Sequence, residues 1–497
     1  MAGAGRLPDV KDIVPFALII CGMALALLAA VGSNRLSERI GIPTPAIFLI
    51  AAAVASDIFP SLGHLSVRTD QRLVTVALAL ILFDGGMHIG ITRIRSIAGG
   101  VVWLGIAGTL VTAGAMALAA HGLFGFGWRE SLLLGTALAP TDPAVVFSVL
   151  GRREIGGRSG TLLEGESGAN DPVGIALMIS ILGATGGGFG AVASGFGQFV
   201  LQMAIGIALG IAGGYVLLVV MRRVPLPNEA LYSLQTIAIS LLIYGAATAC
   251  HGSGFLAVFL AGIIVGDARA PYKREIERFA AALSNLAEIV AFVVLGLSVS
   301  LSEVFSDGRV WIGVVLAALL IVIVRPVLVG LVLLPVELSR GERAFTLWAG
   351  LKGAVPILLG TYVLAEKLPD ASRIYDIIFV VVTISVVLQG GLVPVFARLL
   401  HVPMRVTEPE PWAMGMRFRD EPEGLHRYFV EPGSAADGCA LADLALGEAV
   451  WISMVSRQGR LLQVRRSTVL AAGDEVLALA DHESDVSDLF SVPDRQE

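Results

Sequence analysis

Apolar stretches of about 20 residues, each long enough to cross a lipid bilayer, recur almost without pause up to residue 400 of this chain. They begin near residues 13, 44, 72, 98, 131, 161, 196, 230, 252, 284, 310, 344 and 374, thirteen in all. In hydrocarbon a segment must satisfy its own backbone hydrogen bonds, so runs of this length are expected to be helices. The connections are short and charged, as in RIRS at 93–96, GRREIGGR at 151–158 and MRRVP at 221–225. Only 15% of the 497 residues are charged and 55% are hydrophobic, whereas soluble domains carry about a quarter charged. The expected fold is an all-α polytopic membrane protein. The first run follows Lys11 but lacks an A-x-A-like cleavage site, so it is read as a span rather than a signal peptide. Cys21, Cys250 and Cys439 are odd in number and far apart, which gives no disulfide framework and no cysteine metal site.

Charge divides the chain. From Pro403 onward there are 17 Asp and Glu against 9 Lys and Arg, and before it 24 against 26. The expected domains are a membrane unit over 1–402, a linker over 403–427 and a small acidic α+β domain over 428–497. Nothing in this balance supports nucleic-acid binding. Thirteen spans put the termini on opposite sides. With the tail in the cytoplasm, most loop cations fall inside, among them Arg152, Arg153, Arg222, Arg223, Lys273 and Arg274. The N-terminus is therefore expected outside.

Two spans are interrupted. LLLGTALAPTDPAVVFSVL contains Pro140 and Pro143; FTLWAGLKGAVPILLGTYVL contains Gly350, Gly353 and Pro356. Proline removes a backbone donor and collides with the preceding turn, so each is expected to divide into two half-helices. They are fifth and twelfth in order, and hold matching places if spans one to six and eight to thirteen are inverted repeats. That pattern points to the binding site of a secondary transporter.

Polar groups converge on the same depth. At 1.5 Å per residue, Asp171 lies about 15 Å into its span, and Thr141, Asp142, Asp84 and Lys352 lie at comparable depths. Charges at the bilayer centre are costly and mark ion or proton paths. Ser167 and Asp171 are four residues apart, as are Glu166 and Asn170, so LEGESGANDPVGIALM carries two polar pairs on adjacent stripes. Oxygen donors of this kind suit a hard monovalent cation rather than a transition metal. Asp142, before Pro143, is read equally as a helix N-cap and as an ion contact. Thr141 offers its hydroxyl or carbonyl, and Asp84 is expected to line the site. Lys352 either pairs with Glu166, the preferred reading, or neutralises half-helix ends. Glu164 is placed at the entrance, His88 and His251 at interfaces, and Asp57 near the outer surface. Glu288 lines a cytoplasmic funnel or pairs with a loop cation. Arg325 needs a partner that the sequence does not name.

The strings APTDPAVV (139–146), EGESGANDPVGIAL (164–177), GSGFLAVFLAGIIVGD (252–267) and GLKGAVPILL (350–359) resemble the monovalent cation:proton antiporter superfamily, in its sodium/proton-exchanger branch. The resemblance covers about residues 12 to 400. It implies a homodimer with a dimerisation domain and a moving six-helix core in which two broken helices cross. It makes Asp171 the cation- and proton-binding carboxylate, completed by Ser167, Thr141 and Asp84. Asn170 stands where electrogenic relatives have a second Asp, which implies electroneutral exchange. Many relatives have Arg where this chain has Lys352, and lysine lacks arginine's bidentate fork. From about Tyr428 the tail resembles the C-terminal regulatory domain of potassium-channel and Trk-type regulators. This pairing resembles bacterial K⁺/H⁺ antiporters of the inner membrane, so K⁺ is favoured over Na⁺. No cofactor is implied, beyond a nucleotide-like regulatory ligand on the tail.

Three rivals fit less well. Intramembrane aspartyl proteases carry a GxGD signature, but Ile264 stands where its first glycine belongs. A passive channel would need a carbonyl filter such as TVGYG, which is missing. A sodium-coupled symporter would need a roomier substrate pocket than these small residues suggest.

Overall fold

The computed structural model describes residues 42–59, 66–406 and 425–491, except 96, 151–152, 156, 185–187, 269, 306–307, 369, 445, 447–449, 458–459 and 480–486, with isolated positions before residue 42. Those isolated positions aside, the span expected from residue 13 lies outside the described residues, as does the expected turn at Gln458–Gly459. Contacts divide the chain into two compact units, residues 1–407 and 408–497.

The first unit is helical. In chain order it contains α1 (Thr44–Ile58), α2 (Val67–Arg95), α3 (Ala98–Phe124), α4 (Trp128–Ala137), α5 (Ala144–Leu150), α6 (Gly157–Gly183), α7 (Gly188–Arg223) and α8 (Glu229–Ala249). There follow α9 (Gly254–Gly266), α10 (Lys273–Leu297), α11 (Arg309–Val332), α12 (Arg340–Trp348), α13 (Ala354–Ala365) and α14 (Ala371–Leu399). Among the described residues, seven helices are long and apolar enough to cross a membrane by themselves. The chain is a multi-pass membrane protein. Helix α10 begins at Lys273, well before the expected start at 284. Its first turns, KREIERFAAAL, alternate charged and apolar faces, so a hydropathy reading passes over them.

Both expected interruptions are present, with different causes. Between α4 and α5 the chain is non-helical through Pro140 and Pro143, and Pro143 becomes the residue before α5. Between α12 and α13 the break belongs to the glycines. Pro356 instead sits buried inside the first turn of α13, where its missing N–H would have no partner anyway. The two breaks touch, for Asp142 N–H donates to the Leu351 carbonyl at 2.8 Å. Around them Leu133, Leu134, Ile175, Phe259, Phe292, Ile357 and Leu358 form one buried apolar cluster.

Three helices contain π-helical turns, at Leu104–Gly108, Leu320–Val329 and Ser385–Gly390. After α5, strand β1 (Arg153–Ile155) pairs antiparallel with β2 (Met404–Val406), just past α14. The second unit contains an antiparallel sheet ordered β3 (Leu425–Phe429), β6 (Glu475–Leu479), β4 (Trp451–Arg457), β5 (Arg460–Leu462). Val455, Val476 and Ala478 fill its buried side, where Tyr428 stacks on Phe490. Arg457 forks onto the fully buried Asp474 with two 2.7 Å hydrogen bonds, which raises the guanidinium pKa above its ordinary value.

Candidate functional site

Helix α6 positions most of the site. It runs 27 residues without interruption, although its middle reads EGESGANDPVG. Its polar residues are buried: Glu166, Ser167, Asn170 and Asp171 are each 6% exposed or less. Pro172 cannot donate to the carbonyl four residues earlier, so the Gly168 oxygen loses its helical partner within this polar turn.

Asn170 reaches the first break. Its Nδ2 donates to Thr141 Oγ1 at 2.7 Å, and its Oδ1 accepts from Thr141 N–H at 3.3 Å. The side-chain amide thus gives the Thr141 N–H a partner that the broken helix does not, and ties down the Thr141 hydroxyl as well. Asp171 differs from its neighbours. Ser167, one turn before it, is its hydrogen-bonding neighbour, while Asp171 Oδ1 is buried with no hydrogen-bond partner among the described residues. A buried carboxylate oxygen left open is expensive unless something binds it.

The half-helix ends are neutralised by three side chains. Asp142 Oδ1 accepts from Ala144 N–H at 2.9 Å at the start of α5, and the carboxylate also accepts from Ala354 N–H at the start of α13. One acid therefore serves two positive helix ends. Gly353 makes this approach possible, because a Cβ there would overlap the Asp142 carboxylate. At the opposite pole, Lys352 Nζ donates to the Ala139 and Pro140 carbonyls, both at 2.9 Å. Arg325 donates to the Leu347 and Thr346 carbonyls at the end of α12, at 3.3 and 3.4 Å.

The preferred pairing of Lys352 with Glu166 is corrected here. Glu166 is held by Arg325 in a bidentate ion pair, with Nη1 to Oε1 at 2.7 Å and Nη2 to Oε2 at 3.2 Å. A planar guanidinium matches both carboxylate oxygens; the single ammonium of Lys352 is better matched to two converging carbonyls. Gly350 leaves room for this, since a Cβ there would overlap the guanidinium. Arg325 thereby gains the partner that the sequence did not name, 159 residues away.

Asp84 Oδ1, like Asp171 Oδ1, is buried with no hydrogen-bond partner among the described residues. Asp84 is buried on α2, and its described hydrogen bonds and ion pair run to His88 one turn away, at 3.0 Å from the Asp84 carbonyl and 3.4 Å from its carboxylate. Glu288 Oε1 is buried without a hydrogen-bond partner among the described residues. Two residues escaped the sequence reading altogether, Ser385 and Gln389 on α14, which bond the second break. Their spacing of four within an apolar span is the signal that singled out Ser167 and Asp171.

Residues 23–399 match the transmembrane domain of the sodium/hydrogen exchanger family. The chain belongs to this family. It is a cation:proton antiporter, a transporter rather than an enzyme. The antiporter is 32% identical over 480 residues to a protein named K(+)/H(+) antiporter NhaP2 from Shewanella sp. (strain MR-4), covering 94% of this chain and 82% of that one. It is 32% identical over 482 residues to K(+)/H(+) antiporter NhaP from Alkalimonas amylolytica, covering 96% and 83%. A Na(+)/H(+) antiporter NhaP from Pseudomonas aeruginosa is 27% identical over 358 residues, covering 67% of this antiporter and 81% of that one. In fold, the antiporter resembles the sodium proton antiporter MjNhaP1 from Methanocaldococcus jannaschii, with a TM-score of 0.65, 22% identity, and coverage of 78% and 99%.

Proposed function

We propose that this antiporter exchanges one K⁺ for one H⁺ at Asp171, with Ser167, Thr141 and Asn170 completing the cation's oxygen shell and Asp84 lining the approach. The observation that carries this reading is the open, buried Asp171 Oδ1 beside the Thr141–Asn170 pair. One carboxylate holds a cation or a proton, never both. Only the neutralised site crosses the low-dielectric barrier, so the two cargoes compete. Asp142, Lys352 and Arg325 hold the broken helices in shape without consuming the charge of Asp171. Rigid-body movement of the core then presents the site to alternate sides.

K⁺ is favoured because the relatives named for K⁺ match along 94–96% of the chain, tail included, while the relative named for Na⁺ matches 67%. Exchange of Na⁺ by the same cycle is the second reading, supported by that relative. The wider proposal places thirteen crossings in two inverted repeats, with the N-terminus outside the bacterial inner membrane and the tail in the cytoplasm. It makes the antiporter a homodimer, and residues 428–497 an α+β regulatory domain of the TrkA-C or RCK-C kind that takes a nucleotide-like ligand. Dequenching of a pH-sensitive dye in everted vesicles, titrated with K⁺, Na⁺, Rb⁺ and Li⁺, tests the cargo. Asp171→Asn should abolish cation-dependent proton flux while leaving a folded protein. Exchange of normal rate in that variant would remove Asp171 from the cycle.

A further inference from the structure

The second break leaves backbone groups that no helix satisfies, and α14 satisfies two of them from one face. Lys352 N–H donates to Ser385 Oγ at 3.0 Å, and Ser385 Oγ–H in turn donates to Gln389 Oε1 at 2.6 Å. The same Gln389 donates from Nε2 to the Trp348 carbonyl, the last of α12, at 3.2 Å. Ser385 is 1% exposed, Gln389 3% and Lys352 1%, so no water competes for these bonds. The chain of donors is directional: each of the two side chains has one partner on the break and one within the pair.

What this fixes is the peptide unit that joins Leu351 to Lys352. Its own N–H is held by Ser385, and the carbonyl just before it, of Leu351, is held by Asp142 N–H at 2.8 Å. With that peptide plane held at both its N–H and its C=O, the direction in which the Lys352 side chain leaves the backbone is constrained. It arrives at the Ala139 and Pro140 carbonyls, directly before Thr141. The π-helical turn at Ser385–Gly390 is the local irregularity that accompanies this face; such turns gather at functional sites.

We propose that Ser385 and Gln389 are a positioning pair that aims Lys352 at the first break and so sets the geometry of the cation site. The inference rests on the reading of Asp171 and Thr141 as that site. Neither residue touches the cargo; they act through Lys352. Losing the Ser385 hydroxyl strands the Lys352 N–H and the Gln389 oxygen together, and loosens the carbonyls beside Thr141.

The test uses full-length antiporter in proteoliposomes, with initial rates measured against K⁺ and Na⁺ at fixed pH and normalised to folded transporter. Ser385→Ala should raise the apparent KM for the transported cation about tenfold, the size of one buried hydrogen bond left unmade, with maximal rate within about twofold. Gln389→Met, which keeps the side chain's length, should raise it similarly. The double variant should be little worse than either single one, because the two act as a unit. Ser385→Thr, which keeps the hydroxyl, should return KM to near the wild-type value. A merely structural role would lower the yield of folded protein and leave KM unmoved; that result, or a Thr variant no better than Ala, overturns the proposal. Asp171→Asn in the same liposomes separates the two readings. If it is silent while Ser385→Ala keeps a normal KM, only the positioning pair fails. If it exchanges normally, the site itself does.

Discussion

The ion pair between Glu166 and Arg325 shows how much one residue's setting depends on distant chain. Both groups are almost fully buried, and each of the guanidinium's two terminal nitrogens meets a carboxylate oxygen. Removing one partner leaves the other charged and unpaired in the interior, which costs about 3–5 kcal/mol. Glu166→Gln should therefore lower the melting temperature in detergent markedly, while replacing Glu166 and Arg325 together with leucine should recover most of that loss. A double variant as unstable as the single one would show that the pair has a different energetic role. The sequence exposed both residues as buried charges in need of partners. It could not join them, because partner choice is set by the folded distance between α6 and α11. The fork of Arg325 and the point charge of Lys352 then sort themselves by shape: carboxylate to the one, paired carbonyls to the other.

At the scale of elements, the broken helices were the most legible feature and their causes only partly so. Pro140 and Pro143 cannot continue a helix, and α4 and α5 separate around them. Pro356 gave the same warning and proved harmless, because the first turn of a helix tolerates proline. The glycines matter there for close approach instead. Gly353→Ala would drive a methyl into the Asp142 carboxylate and should cost about 1–3 kcal/mol along with most of the exchange activity. Gly122→Ala on α3 has open space around it and should leave the rate unchanged and raise stability slightly, because alanine favours a helix. Equal loss from both would mean that crowding against Asp142 does not govern Gly353. The π-helical turns of α11 and α14 had no signature in their apolar runs, since Val and Leu read alike in either winding. The amphipathic start of α10 was hidden for the opposite reason: its charges mask the first turns of a helix that continues unbroken to Leu297.

Over the whole molecule, length and apolar rhythm made the polytopic class plain, and the family match to residues 23–399 agrees with it. The depth argument gathered the acids into one layer but could not tell Asp84, which lies beside His88, from Asp171, which lies beside Ser167. Depth is one coordinate, and separating them takes the other two. Among the four charged groups that hold the breaks the formal charges cancel: Glu166 against Arg325, Asp142 against Lys352. Asp171 adds one negative charge to that set. An ion carrying two positive charges would leave one of them stranded in the low-dielectric barrier at every crossing, at several kcal/mol. Magnesium and calcium should thus provoke no proton flux in everted vesicles, even at concentrations where K⁺ saturates. The molecule would then tell valence before it tells size, and it would do so with no filter at all.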